Sequence, residues 1–122
     1  AAKAGIMAYH DSLRAETAHQ GVKVLVVAPG SVRTNVSRNA LDASGKARGF
    51  SDSAIDNGMP AETAASRIVA ALRDGVRELI LAEGMEAAGA ALRRSDPERL
   101  FDMMAELVAS GYAQKLGAED QV

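Results

Sequence analysis

Three short stretches of the chain carry groups that could act together on a small molecule. Lys3 supplies a cation, Pro29-Gly30 forms a turn at which the backbone can approach a ligand closely, and Thr34 supplies a hydroxyl shortly after that turn. Ammonium, hydroxyl and backbone groups bind polar ligands through hydrogen bonds. The three stretches predict a site if the fold brings them to one place.

The elements around these residues predict such a meeting. Apolar residues at helical spacing predict a helix from the first residues to Gly21, and the β-branched run Val22–Ala28 predicts a strand covered on both faces. The tight turn at Gly21 makes the helix antiparallel to the strand. Helix and strand lengths of about 27 Å and about 23 Å then place Lys3 near Pro29-Gly30. This is the carboxyl edge of the sheet, where open α/β folds bind ligands.

The remaining pattern defines the fold class. Residues 31–60 have no sustained period and are rich in Gly and Ser, which is typical of a long functional loop. A helix is predicted from Pro60 to Gly75, a strand at Glu78–Ala82, and a last helix after Ser95-Asp96-Pro97. The order helix, strand, long loop, helix, strand, helix belongs to the α/β class.

Two strands of the buried type cannot form a covered parallel sheet by themselves. The first helix also begins without a capping residue. Together these features indicate the carboxyl-terminal portion of a larger α/β domain. The alternative is a complete small α+β domain with an unusual start.

Composition excludes several classes of function. Fourteen basic and 16 acidic residues give a net charge of -2, which disfavours nucleic acid as a partner. The uncharged run Val24–Val32 is too short for a transmembrane segment, which needs roughly 18 to 20 residues. No signal peptide is recognisable and there is no cysteine, so we expect a cytoplasmic protein. His10 and His19 lie on different helix faces, so we expect no metal site.

The motifs around Lys3 and Thr34 resemble the carboxyl-terminal half of a short-chain dehydrogenase/reductase. The resemblance rests on four segments at characteristic spacing: 1–5 (AAKAG), 11–16 (DSLRAE), 21–24 (GVKV) and 29–34 (PGSVRT). The stretch Arg33–Leu41 is further similar to the branch that includes the dehydrogenase/reductase member 7 proteins.

This resemblance implies a fold and a domain organisation. The chain would be the carboxyl-terminal portion of a Rossmann-type, doubly wound parallel sheet, with residues 1–122 part of a single domain. Residues 31–60 would be the substrate-binding loop. The amino-terminal dinucleotide-binding half, with its Gly-rich loop, catalytic Ser and catalytic Tyr, is absent from these 122 residues.

The resemblance also implies roles for five residues. Lys3 would be the Lys of the family's Tyr-x-x-x-Lys motif, both catalytic and bound to the nicotinamide ribose. Pro29, Gly30, Val32 and Thr34 would contact the nicotinamide end of the cofactor, with the Val32 backbone and Thr34 hydroxyl near the carboxamide. The cofactor would be NAD or NADP, a choice determined in the absent half.

The implied reaction is hydride transfer between the nicotinamide and a carbonyl or alcohol, with an apolar or lipid-like substrate. This chain alone should be inactive. The full-length protein would form a homodimer or homotetramer through the helix that contains Lys3, with Ile6, Met7 and Leu13 at the interface. Met103 and Met104 are expected to serve core or dimer packing rather than a membrane or partner surface. The alternative function is a non-enzymatic interaction module or a degenerate protein of this family.

Overall fold

The computed structural model describes residues 2–112, which form five α-helices, one 3-10 turn and four short strands. The first, third and fifth helices lie where the sequence pattern predicts helix, whereas the helix Gly84–Ser95 was not predicted. The elements in chain order are α1 (Ala2–Thr17), the 3-10 turn (Ala18–Gln20), β1 (Val26–Pro29), β2 (Val32–Arg33), α2 (Ser53–Asp56), β3 (Met59–Pro60), α3 (Ala61–Arg73), β4 (Glu78–Leu81), α4 (Gly84–Ser95) and α5 (Pro97–Ala109).

Local sequence explains where the helices begin and end. Gly21 adopts a left-handed φ of 76°, and its N–H donates to the Ala18 carbonyl, which closes the first helical segment as predicted. Asp96 caps α5 by accepting a hydrogen bond from the Arg99 N–H at 3.1 Å, and Pro97 occupies the first turn. Pro60 immediately precedes α3 rather than lying inside it.

The strands form two parallel pairs. β1 pairs with β4, with Val26 opposite Glu78 and Pro29 opposite Leu81, and β2 pairs with β3. The predicted first strand was wrong at its start, because residues 22–25 are not strand and Val22 is 48% exposed. The strand begins at Val26 because its partner begins only at Glu78.

A small apolar core holds the two pairs against α3. Leu81 is 2% exposed, and Met59 and Ala64 are each 5% exposed. Four partly buried side chains, from β1, β2, α3 and β4, pack against these three residues: Val27, Val32, Ile68 and Leu79. The core therefore joins both strand pairs and α3 into one unit.

Much apolar surface remains uncovered. The exposed area is 9067 Å², whereas a folded monomer of this mass exposes roughly 6,200 Å². The residues of β1 are half-buried or exposed, so the predicted coverage of both faces is not found within residues 2–112. In the same range α1 has no buried residue, and Ile6 and Met7 are 49% and 38% exposed.

None of the described helices has the length and apolar character needed to cross a membrane. Within residues 2–112 no cluster of three His, Cys, Asp or Glu side chains is arranged to hold a metal ion.

Candidate functional site

The carboxyl edge of the β1–β4 pair is the predicted location of the site. β1 ends at Pro29, and the next N–H, that of Gly30, still donates to the Leu81 carbonyl at 3.0 Å. A depression of about 310 Å³ lies where this edge meets α4. Its lining residues are Ala28, Pro29, Gly30, Ile80, Ala82, Glu86 and Ala90.

Glu86 projects from the first turn of α4 onto the residue after the Pro-Gly turn. Its Oε2 accepts the Ser31 N–H at 2.8 Å, and its Oε1 accepts the Ser31 hydroxyl at 2.7 Å. These hydrogen bonds, that of the hydroxyl first, hold the pKa of Glu86 below its ordinary value. A Cβ on Gly30 would overlap Glu86 Oε2, so this contact requires glycine at position 30.

The carbonyl side of Ser31 is fixed as well. Ser31 C=O accepts the Met59 N–H at 2.9 Å. A Cβ on Gly58 would lie 2.5 Å from the same oxygen, so glycine is needed there too. Because the C=O and N–H of one trans peptide point in opposite directions, the Val32 N–H points away from β3.

Thr34 follows β2 and is exposed. Its Oγ1 accepts the Val36 N–H at 3.3 Å, and as an acceptor it keeps its own hydrogen for donation. A hydroxyl held in this way can donate to a carbonyl oxygen of a ligand.

Lys3 lies exposed in the first turn of α1. No hydrogen bond or ion pair joins it to the carboxyl edge in the part of the chain that the structure describes. The opposite end of α1 is bound to the segments that precede β1 and β4, where Arg14 donates to the Val24 and Arg77 carbonyls at 3.4 and 2.9 Å. The proximity of Lys3 to Thr34 in space stays a prediction.

The loop 31–60 is more ordered than its sequence indicates. Ser37, 5% exposed, donates its hydroxyl to the Asp52 carboxylate, and the Asp52 N–H donates back to Ser37 Oγ at 3.1 Å. Arg48 pairs with the same carboxylate at 2.9 Å and lies over the Phe50 ring at 4.4 Å. The loop is therefore closed across its base by a polar cluster of Ser37, Arg48 and Asp52.

A second turn stabilises the outer part of this loop. The Asp42 carboxylate accepts the Ser44 N–H and hydroxyl and the Lys46 N–H at 2.7 to 3.0 Å. These bonds, that of the Ser44 hydroxyl first, lower the pKa of Asp42. Gly45 within the turn has a positive φ of 80°.

A larger depression, about 480 Å³, lies at the opposite edge of the strands beside Arg14 and Gly21. Its lining is mostly apolar, and the guanidinium of Arg14 is already engaged by two backbone carbonyls and by Asp11. Although larger, it lies at the amino ends of the strands, away from the edge at which open α/β sheets bind ligands.

Sequence reasoning missed Glu86 and Ser31. Ser31 lies within the segment 29–34 (PGSVRT) that carries the family resemblance, but no role was predicted for it. Glu86 lies 55 residues further along the chain, outside the four segments of the resemblance. The sequence offers one indication of a close contact here, which is the glycine at position 30, between a proline and a serine at the end of the predicted strand.

Comparison with known proteins gives relatives of one class. The chain is 34% identical over 105 residues to dehydrogenase/reductase SDR family member 7B of Bos taurus, covering 86% of this chain and 32% of that protein. It is 34% identical over 106 residues to an SDR family protein 7-like of Drosophila melanogaster, covering 87% and 32%. The similar protein of Anopheles gambiae is 35% identical over 104 residues, covering 85% and 33%.

The resemblance found in the sequence is therefore confirmed. The chain is related to a segment of the short-chain dehydrogenase/reductases, and within them to the member 7B and 7-like proteins. It spans about a third of the length of the curated relatives it matches. No family model and no solved structure matches it.

Proposed function

We propose that this chain is part of an NAD(P)-dependent oxidoreductase of the short-chain type, which transfers hydride between a nicotinamide cofactor and a carbonyl or alcohol. The observation that carries the proposal is the spacing of Lys3, Pro29-Gly30 and Thr34 in a chain related to members of that family. The chain would supply the nicotinamide-binding edge and the substrate loop.

The unpaired edges of β1 and β4 support a proposed domain organisation. We propose that residues 1–122 form the carboxyl-terminal part of one Rossmann-type domain, with residues 31–60 as the substrate-binding loop. β1 and β4 are each paired on one side only within residues 2–112. A further parallel strand on the free side of β1 would pair that open edge, and the helices of its crossover connections would cover the exposed faces.

The residues at the carboxyl edge are suitable for the nicotinamide end of the cofactor. The Val32 N–H is directed away from β3, and the Thr34 hydroxyl keeps a hydrogen to donate. A carboxamide offers one acceptor oxygen and one donor NH₂, which match such groups. When bound, the cofactor supplies or accepts the hydride.

The position of Lys3 is compatible with this edge. Arg14 fixes α1 beside Val24. In an antiparallel arrangement, the helix extends about 16 Å from Arg14 back to Lys3, and the chain extends about 20 Å from Val24 to Gly30. Lys3 would then reach the level of the Pro-Gly turn, where its ammonium would bind ribose hydroxyls and stabilise the phenolate of the family's Tyr.

The proposed substrate is an apolar or lipid-like carbonyl or alcohol. Three apolar side chains in the loop are exposed: Val36 by 63%, Leu41 by 70% and Phe50 by 46%. Exposed apolar groups near a ligand site favour an apolar ligand.

We further propose a homodimer or homotetramer in which α1 packs against its copy. The exposure of Ile6 and Met7 supports this, because a second helix would cover both. The cytoplasmic location expected from the sequence stays a prediction.

An activity assay of the full-length protein that carries this chain tests the proposal. We expect carbonyl reduction with NADH or NADPH, faster for apolar aldehydes and ketones than for polar ones of equal size. Lys3→Met should reduce kcat/KM at least a hundredfold, because the cation at the reacting groups is lost. The matched control Lys23→Met, outside the site, should retain activity.

Two results would count against the proposal. The first is a full-length protein without turnover on any carbonyl or alcohol with either cofactor, which favours an interaction module. The second is equal activity of Lys3→Met and Lys23→Met. Measurable carbonyl reduction by the 122-residue chain alone would contradict the expected dependence on the remainder of the protein.

A further inference from the structure

Glu86, on α4, contacts the predicted nicotinamide edge although none of the family motifs includes it. Its carboxylate holds both the N–H and the hydroxyl of Ser31, at 2.8 and 2.7 Å. Two hydrogen bonds from one residue to one ionised carboxylate are charge-assisted and restrict both the backbone and the side chain of that residue.

Ser31 is consequently held through both of its peptide groups, the Gly30–Ser31 peptide by Glu86 and the Ser31–Val32 peptide by Met59. Glu86 fixes the Ser31 N–H, and Met59 fixes the Ser31 carbonyl through a bond of 2.9 Å. With the carbonyl of this peptide bound to β3, its N–H, which belongs to Val32, must point to the other side.

Two glycines make this arrangement sterically possible. A Cβ on Gly30 would overlap Glu86 Oε2, and a Cβ on Gly58 would lie 2.5 Å from the Ser31 oxygen. The chain thus lacks a side chain at both positions where one would displace Ser31 from its partners. We call Gly30, Ser31, Gly58, Met59 and Glu86 the Ser31 clamp.

We propose that Glu86 is a positioning residue for cofactor binding, which acts through the Ser31 clamp to direct the Val32 N–H toward the nicotinamide carboxamide. The proposal rests on the proposed function. Under this proposal a residue on α4 contributes to cofactor affinity. Gly30 then has two roles, because it leaves room for the Glu86 carboxylate as well as for the ligand.

Cofactor binding by variants of the full-length protein tests this role. In Glu86→Gln the negative charge is lost and one acceptor oxygen becomes an NH₂ group, so the two charge-assisted bonds from Ser31 are not both retained. We expect the Kd of the nicotinamide cofactor to increase about tenfold, the range expected for a lost charge-assisted hydrogen bond. The KM for the carbonyl at saturating cofactor should change less than about twofold, because the loop keeps its own closure at Ser37 and Asp52.

Two further variants separate positioning from general destabilisation. Glu78→Gln removes an ion-paired carboxylate at the opposite edge, where Glu78 contacts Arg94 at 2.5 Å, and should leave the cofactor Kd unchanged. The double variant Ser31→Ala with Glu86→Gln should bind the cofactor about as weakly as Glu86→Gln alone, because both changes break one clamp. Amide hydrogen exchange at Ser31 should accelerate at least tenfold in Glu86→Gln and not in Glu78→Gln.

The outcomes are distinguishable. If the wild type binds cofactor and Glu86→Gln binds it equally well, the inference is wrong and the proposed function stands. An increase confined to the KM for the carbonyl, or unchanged exchange at Ser31, also overturns the inference. If the wild type binds neither NAD(H) nor NADP(H), the proposed function itself fails and the role of Glu86 in it fails too.

Discussion

At the scale of single residues, the candidate site depends on how peptide groups are oriented rather than on a cluster of side chains. Ser31 has its N–H, hydroxyl and carbonyl all engaged by neighbouring residues. Two groups at this edge can donate to a ligand, the Val32 N–H, which is directed away from β3, and the hydroxyl hydrogen of Thr34. Binding specificity at such a site comes from backbone geometry that distant residues maintain.

The lowered pKa of Glu86 predicts a pH-dependent contribution to stability. The ionised carboxylate is favoured in the folded state, so its contribution is complete above the ordinary pKa of 4.5 and is lost as the pH falls through the lowered pKa. Glu86→Gln should lower the urea midpoint at pH 7, and the difference from wild type should shrink as the pH falls below 4.5.

Urea denaturation of the full-length wild type and the full-length Glu86→Gln variant between pH 7 and pH 3 measures this difference. Ser31→Ala, which removes the hydroxyl that is the largest cause of the lowered pKa, should reproduce part of the effect. A difference between wild type and Glu86→Gln that is constant over this range would refute the assignment.

At the scale of elements, the loop 31–60 is held by the polar cluster of Ser37, Arg48 and Asp52. Asp52→Ala removes the acceptor for Ser37 and Arg48 and leaves the buried hydroxyl of Ser37 without that partner. Such a loss costs about 1 to 3 kcal/mol, less where solvent reaches the groups. We expect faster tryptic cleavage after Arg38, Lys46 and Arg48 than in wild type.

Limited proteolysis followed by mass spectrometry locates these cuts. Asp56→Ala, a change of the same kind on the exposed α2, serves as the matched control and should be cleaved at the wild-type rate. Equal cleavage of Asp52→Ala and Asp56→Ala would show that the cluster does not hold the loop.

The small apolar core gives a further prediction. Leu81 is 2% exposed and packs with Met59 and Ala64, so Leu81→Ala should destabilise the protein by about 2 to 5 kcal/mol. Leu72 is 57% exposed, and Leu72→Ala should change stability by less than about 0.5 kcal/mol. Chemical denaturation of the full-length variants measures both free-energy changes. Similar losses of stability in the two variants would show that Leu81 does not contribute more to the core than Leu72.

The sequence predicted the elements better than their contacts. Apolar periodicity located α3, and the Asp96-Pro97 pair located the start of α5, because both signals are local. The β-branched run predicted strand from Val22, whereas the actual strand starts where a partner exists, at Val26. The Glu86–Ser31 contact joins residues 55 positions apart and depends on packing that no local pattern encodes.

At the scale of the whole molecule, the described fold leaves apolar surface for another structure to cover. Exposed apolar side chains occur on α1 and on α5, where Met103, Met104 and Val108 are 48%, 55% and 61% exposed. The packing of Met103 and Met104 expected from the sequence is not provided by residues 2–112. Strand edges without partners add a second surface for association.

The isolated 122-residue chain should therefore self-associate or lack a cooperative transition. Light scattering after gel filtration should show species larger than a monomer, and an apolar dye such as ANS should bind. A monodisperse monomer with a sharp melting transition would contradict the view that further strands complete this sheet.

The most direct test of the central claim is calorimetric titration of the full-length protein with NADH and NADPH. We predict binding of at least one of them, about tenfold weaker for Thr34→Val, which lacks the donor hydroxyl, and nearly unchanged for Thr34→Ser, which keeps it. A wild-type protein that binds neither cofactor, or equal affinities of Thr34→Val and Thr34→Ser, would contradict the assignment of this edge to the nicotinamide.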